Sequence, residues 1–475
     1  MGSTPMHRRF VFAFCAFALA SSTWASESWL GIYIQGSKVG YSGSVQKEEK
    51  FDGKPATKVW SINVFSTDMI GSAMDIRMET TSWVDAAGNL LRMDFKNVSQ
   101  GRASTFVAIF KGKEIFIETV NTGSRGKKTL SIPEGQRVID DPIARANEIV
   151  KGVKDTKATF LILDPLTISL VPNTVVFHGK ATVKIWGSDF VGTKVEVSDP
   201  RTPTYAYLDE GGSIAKVEGP FGMEMYPETR AKAIDVKGGK TVRIDLAEIS
   251  KVRVAAGSKN PGGSRKAVLK VSGPGAEKVV SDEQQLRQAE AGYSLVTVSP
   301  RRWESGVSLS QAKKDQPEFL KPSMLIPSDD SEMVSIAQRL AAGLDDTLTI
   351  ADRITKHVSE MMSPNTGIGV LRDAREVLKT KEGLCRDHAV LCATLMRAAG
   401  VPTRVVSGLI FDGDAYYYHA WVECWSGTDW IGFDSTRGSE PFSAAHLKLG
   451  QGSVEEAFTF RLLNDVKVEI LSVEK

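Results

Sequence analysis

Three residues, Cys385, His419 and Asp434, have the types and surroundings that nucleophilic chemistry needs. Cys385 lies in "KEGLCRDHAVLC" (381–392), after a glycine turn and at the first position of a segment that reads as a helix to Ala399. Gly400 stops that helix, with Pro402 just beyond. A thiol at a helix N-terminus faces unpaired backbone N–H groups, which favour thiolate. His419 and Asp434 lie in "YYYHAWVECWSGTDWIGFDST", read as a strand, a loop over Ser426–Asp429 and a returning strand, Trp430–Asp434. If Trp425 pairs with Trp430, His419 faces Thr436 and Asp434 is its diagonal neighbour on the same side. A one-residue slip would turn Asp434 to the other face. A cysteine attacks a carbonyl efficiently when an imidazole takes its proton, and a carboxylate fixes the tautomer and direction of that imidazole.

The same region resembles the transglutaminase-like superfamily, relatives of the papain-type thiol enzymes. The matching stretches are "GLC" with "RDHAVL", "RAAGVPTRVVSGL" (397–409), "HAWVE" (419–423), "WIGFDST" (430–436) and "AAHLKLG" (444–450). The resemblance implies a Cys-His-Asp triad at Cys385, His419 and Asp434 and an acyl-enzyme route at amide bonds. Where many members have Gly-Asp-Cys and Asp-Pro-Thr, this chain has Gly383-Leu384-Cys385 and Asp434-Ser435-Thr436. The expected activity is that of a peptidase or amidase. The alternatives are a crosslinking transglutaminase with an amine acceptor, or a non-catalytic scaffold that kept the fold. No cofactor is expected. No metal is expected either: Cys385, His388 and His419 lack a Cys-x-x-Cys or His-Glu-x-x-His companion. Acidic loops bind calcium in some relatives, but Asp412 and Asp414 are a weak case. His388 reads as a helix residue near the site, Arg404 and Glu423 as a structural pair, and Trp421 as packing beneath the site. His446 reads as generic.

The elements that must position these residues form an α+β domain over 317–475. "DDSEMVSIAQRLAAG", "TLTIADRITKHVSEMM" and "DAREVLKTKEG" have helical spacing and lead into the Cys385 helix. Upstream the pattern is period two with Gly, Asn, Asp and Lys turns. The chain is therefore read as multidomain, with N-terminal antiparallel β modules at 26–150 and 151–235 and a β-rich connecting module at 236–316. "DDPIARANEIVKG" between the first two reads as a short helix. "KVRVAAGSKNPGGSRKAVLK" (251–270) reads as a solvated hairpin turning at Asn-Pro-Gly-Gly. These modules are candidates for binding envelope polymer or a partner and presenting the catalytic domain to it.

Residues 1–25 have the layout of a signal peptide: Arg8-Arg9, the apolar run "FVFAFCAFALA", then small residues. Cys15 lacks the context of a lipoprotein signal. The implied location is periplasmic or extracellular, with no stable membrane span after signal removal. Losing two arginines and no acid takes the formal charge from +2 to zero, which argues against nucleic acid as a main partner. The expected partner is a protein or peptide substrate, cell-envelope material included. Of four cysteines, Cys385, Cys392 and Cys424 remain. Cys392, seven residues along the helix from Cys385, reads as a buried core residue. Cys424 is on the strand face opposite His419, so a Cys392–Cys424 disulfide is not expected.

Overall fold

The computed structural model describes residues 25–121, 124–142, 156–198, 203–236, 243–273, 275–368, 371–438, 440–452 and 466–475. The leader segment and most of the expected helix at 140–152 lie outside the described residues. No helix among the described residues is long and apolar enough to cross a membrane.

The period-two pattern folds into a 14-stranded antiparallel sheet between Ala25 and Pro227. Neighbouring strands are joined by tight turns, several through an X-Gly dipeptide with both residues at positive φ, as at Asp52-Gly53 and Gln100-Gly101. The two β blocks read from the sequence share this sheet, because strand Ala25–Ile34 pairs with both Ser37–Phe51 and Met223–Pro227. The sheet curls so that Leu161 and Leu163 from one edge strand share a core with Phe106, Ile115 and Ile117.

The second half is built on a five-stranded antiparallel sheet. Ala415–Trp425 pairs with Thr403–Asp412 on one side; on the other it pairs with Val252–Arg253 and Trp430–Phe433. His446–Gly452 pairs with Thr403–Asp412 from the outside. Helices Ser331–Ala341, Thr347–Met361, Ala374–Thr380 and Cys385–Ala398 pack on this sheet through Ile354, Val358, Leu391 and Leu395 against Val405, Val422 and Ile431. Leu409, Phe411, Tyr416 and Leu447 instead pack on a four-stranded sheet. That sheet is ordered Gln285–Glu290, Tyr293–Val298, Lys266–Ser272, Lys467–Glu474.

The hairpin expected over 251–270 is not formed. Val252–Arg253 pairs with Ala415 and Tyr416, while Lys266–Ser272 lies in the four-stranded sheet. The Asn-Pro-Gly-Gly turn is real, but its strands diverge. Buried Pro261 and Ser264 hold the segment in place, and the Ala444 N–H donates to the Ser264 carbonyl.

The large sheet touches the second half of the chain beside Cys385. Arg102 pairs with Glu382, three residues before the cysteine, and approaches Glu376 at 3.7 Å. Burial raises the Glu376 carboxyl to about 7; Arg372 and Arg102 oppose the shift, and Asp373 and Asp387 add to it. A carboxyl raised in the folded state favours the fold while protonated and works against it as pH rises through about 7. Glu376→Gln is therefore expected to leave Tm nearly unchanged at a pH below the ordinary carboxyl value of 4.5 and to raise it at pH 9 by about 2–4 °C per kcal/mol relieved. Equal shifts in melting scans at the two pH values would contradict the burial cost.

Candidate active site

Asp387, in the first turn of helix Cys385–Ala398, accepts from the Leu384 N–H at 2.9 Å. Its other oxygen receives the Arg372 guanidinium at 3.0 Å, in a pair with essentially no solvent contact. Arg372 also reaches Thr380 Oγ1 at 3.0 Å and the Glu382 carbonyl at 2.6 Å. The backbone on both sides of Gly383 is thus tied to one buried ion pair. A Cβ at Gly383 would meet the Asp387 carboxylate at 2.6 Å and the Arg372 guanidinium at 2.7 Å, so the clamp needs glycine there.

His419 comes from the middle of strand Ala415–Trp425, and the register is the expected one, with Trp425 opposite Trp430. The returning strand ends at Phe433, one residue earlier than read from the sequence. Asp434 instead caps a short 3-10 turn, Ser435–Arg437. That frees its carboxylate to divide its work. Oδ1 accepts from the Thr436 N–H at 3.0 Å and the Thr436 hydroxyl at 2.7 Å. Oδ2 accepts from His419 Nε2–H at 2.7 Å. The Cys385 thiol lies beside the same imidazole, and His419 and the Ala420 backbone N–H are the neighbours that favour its thiolate. The three predicted residues therefore meet in one place.

Burial alone would push the Cys385 thiol up, but hydrogen bonding and charge from His419, with the Ala420 N–H, bring it below its ordinary value against the opposing charge of Asp434. For His419, burial works against the cation, yet the Asp434 carboxylate and the Cys385 sulfur raise it to about 10. Burial also opposes ionisation of Asp434, and the two histidines it contacts hold it well below the usual carboxylate range. These shifts favour a thiolate–imidazolium pair over a neutral thiol and imidazole.

Cys392 is buried in the helical core, where desolvation pushes it up to about 12; Cys424 is also buried, and neither is in a disulfide. His388 lies one turn beyond Cys385, its Nδ1 hydrogen-bonded to Ser435 Oγ at 3.0 Å. Arg404 and Glu423 form the expected structural pair, at 2.6 and 2.8 Å, and Lys448 completes it at 2.6 Å. Trp421 packs beneath His419, ring centroids 6.3 Å apart; its close approach requires Gly408, whose Cβ would meet the indole at 2.7 Å. Asp412 lies at the end of strand Thr403–Asp412, and Asp414 in the turn before the His419 strand.

Two residues of the site escaped the sequence reading. Thr436 holds Asp434 Oδ1, and His446 Nε2 contacts Asp434 Oδ2 at 3.2 Å. Both stand inside stretches that resemble the family, "WIGFDST" and "AAHLKLG", which was the available signal. His419, Asp434 and His446 also bring three metal-ligand-type atoms within 4.8 Å of one another. Both ring nitrogens already meet the carboxylate, so the group is satisfied as a hydrogen-bond network without an ion.

The family model described as the transglutaminase-like superfamily matches residues 334–435. No curated protein matches the chain. Among solved structures, a candidate cysteine protease from Cytophaga hutchinsonii is 17% identical, covering 47% of this chain and 89% of its own, with a TM-score of 0.34. A beta-barrel-like protein of a domain of unknown function from Brucella abortus is 13% identical, covering 42% of this chain and 94% of its own, with a TM-score of 0.31. A candidate protease from Parabacteroides distasonis is 13% identical, covering 75% of this chain and 68% of its own, with a TM-score of 0.21. None of these TM-scores reaches 0.5, and none bears on function. With the residues of the family match forming the helix, strand pair and cap that hold Cys385, His419 and Asp434, the chain carries a transglutaminase-like superfamily domain behind a large antiparallel β-sheet.

Proposed function

We propose that this protein is an exported thiol hydrolase that cleaves amide bonds of a protein or peptide substrate through an acyl-enzyme. The observation that carries the reading is the 2.7 Å bond from His419 to Asp434, with the same imidazole beside the Cys385 thiol and favouring its thiolate. The Cys385 thiolate attacks the carbonyl carbon, forming the C–S bond. The oxyanion is held by the Cys385 backbone N–H at the helix N-terminus. His419 then gives its proton to the leaving nitrogen as the C–N bond breaks. Water replaces the amine. His419 takes its proton, the C–O bond forms, the C–S bond breaks, and the acid leaves with the thiolate restored. Asp434 keeps the ring aimed throughout and stabilises its cation.

The test is a mass-resolved screen of peptide and amine mixtures with wild type and Cys385→Ala. Hydrolysis predicts products heavier by one water that vanish in the variant. Products joined to an amine would replace this reading with crosslinking, and no cysteine-dependent product would leave a scaffold. The proposed location, periplasmic or extracellular, is read by fractionation of the expressed full chain.

A further inference from the structure

We propose that His446 is a positioning residue for the Cys385–His419–Asp434 set, clamping the same Asp434 carboxylate oxygen that His419 uses. This rests on the thiol-enzyme reading above and extends it to a residue outside the triad. His446 is at the start of strand His446–Gly452, which neighbours the His419 strand only through Thr403–Asp412. Its Nε2 nevertheless reaches the same oxygen, Asp434 Oδ2, that His419 uses, at 3.2 against 2.7 Å.

The ring is built into its place. Nδ1 lies 3.1 Å from the Ser443 carbonyl. Phe442 stacks on one face with centroids 4.0 Å apart at 20°, and Trp421 meets the ring edge-on at 5.2 Å. In the neutral ring the single N–H goes to the carboxylate, the charged acceptor; the cation serves both acceptors. On the remaining side lies a cavity of about 160 Å³, lined by Asp434 and His446 themselves and by the charged residues Asp412, Arg437 and Glu440. His446 and Asp434 therefore stand side by side at the wall of that cavity.

The mechanical consequence follows from the count of donors on one carboxylate. Thr436 fixes Oδ1 with two bonds, and the histidines share Oδ2 from two directions. Without His446, Oδ2 has one partner, and the carboxylate is free to turn toward the cavity. His419 would then lose part of the interaction that keeps it cationic, and Cys385 would need a higher pH to ionise.

The experiment measures the rate of Cys385 alkylation by iodoacetamide against pH in the full chain, with the modified cysteine located by mass spectrometry. His446→Phe keeps the aromatic packing and removes both polar contacts. His446→Asn places its amide nitrogen near the Nδ1 position, and His446→Gln places one near Nε2. The expected result is an acid limb moved up by about one pH unit in the Phe and Asn variants, about tenfold slower labelling on that limb, and recovery to near the wild-type limb in Gln. A structural role alone would change the folded fraction and leave the limb where it was. If the Phe variant does not fold, Asn against Gln makes the same comparison. Variants that share the wild-type limb, or Gln shifted as far as Asn, overturn the inference. Wild-type Cys385 labelling no faster than a free thiol near neutral pH would instead sink the thiol-enzyme reading itself.

Discussion

Asp434→Ala is expected to lower kcat/KM by about 10³- to 10⁴-fold, the scale on which losing a triad carboxylate acts elsewhere. The side chain is buried and accepts four hydrogen bonds, two from histidine rings. Its removal leaves His419 buried without the carboxylate that most strongly holds its proton. Asp434→Asn is expected to cost less, since an amide oxygen can still accept from His419, but it removes the charge. The pH profile separates the two effects. In wild type the imidazolium persists until pH approaches about 10, so the alkaline limb of kcat/KM belongs there. Because Asp434 raises His419 while burial lowers it, loss of the charge moves that limb to lower pH. The limb belongs to the Cys385–His419 pair as a unit. An Asp434→Ala enzyme within tenfold of wild type, or an unmoved limb in Asp434→Asn, would remove Asp434 from the reaction.

Arg372→Met is expected to destabilise the catalytic half by about 3–5 kcal/mol, because it leaves the Asp387 carboxylate buried without its partner. The guanidinium also holds Thr380 and the Glu382 carbonyl, so the turn before Cys385 loses its anchor in the same step. Thermal melts and kcat/KM should fall together. Adding Asp387→Leu to Arg372→Met should recover much of the stability, since the stranded charge is then gone, but not the activity, since the Leu384 N–H then loses its acceptor as well. A single-variant loss below about 1 kcal/mol would mean that solvent reaches the pair.

The site was legible to the degree that its geometry is local. The helix from Cys385 could be read from its start and its Gly400 stop, and the pairing of Trp425 with Trp430 from a short loop between two tryptophans. Period two then places His419 and Asp434 on one face. What remained hidden depends on residues far apart along the chain. His446 reaches Asp434 across two intervening strands, Ala415–Trp425 and Thr403–Asp412. Arg372 is unremarkable as a sequence letter until helix packing buries it against Asp387. The segment 251–270 misled because a good turn motif says nothing about whether its two strands pair with each other. Alternation likewise identified the N-terminal strands but not their junction into one sheet, since no local signal ties Leu30 to Pro227.

That last pairing has a consequence for biogenesis. Strand Ala25–Ile34 leaves the ribosome with one edge completed almost at once by Ser37–Phe51, while its other edge waits for Met223–Pro227. At about 5–20 residues per second the wait lasts on the order of ten seconds or more, with a row of open backbone groups available to any other nascent strand. The same delay recurs where Lys266–Ser272 waits for Lys467–Glu474. A chaperone that shields extended edges would act on this chain at those two intervals.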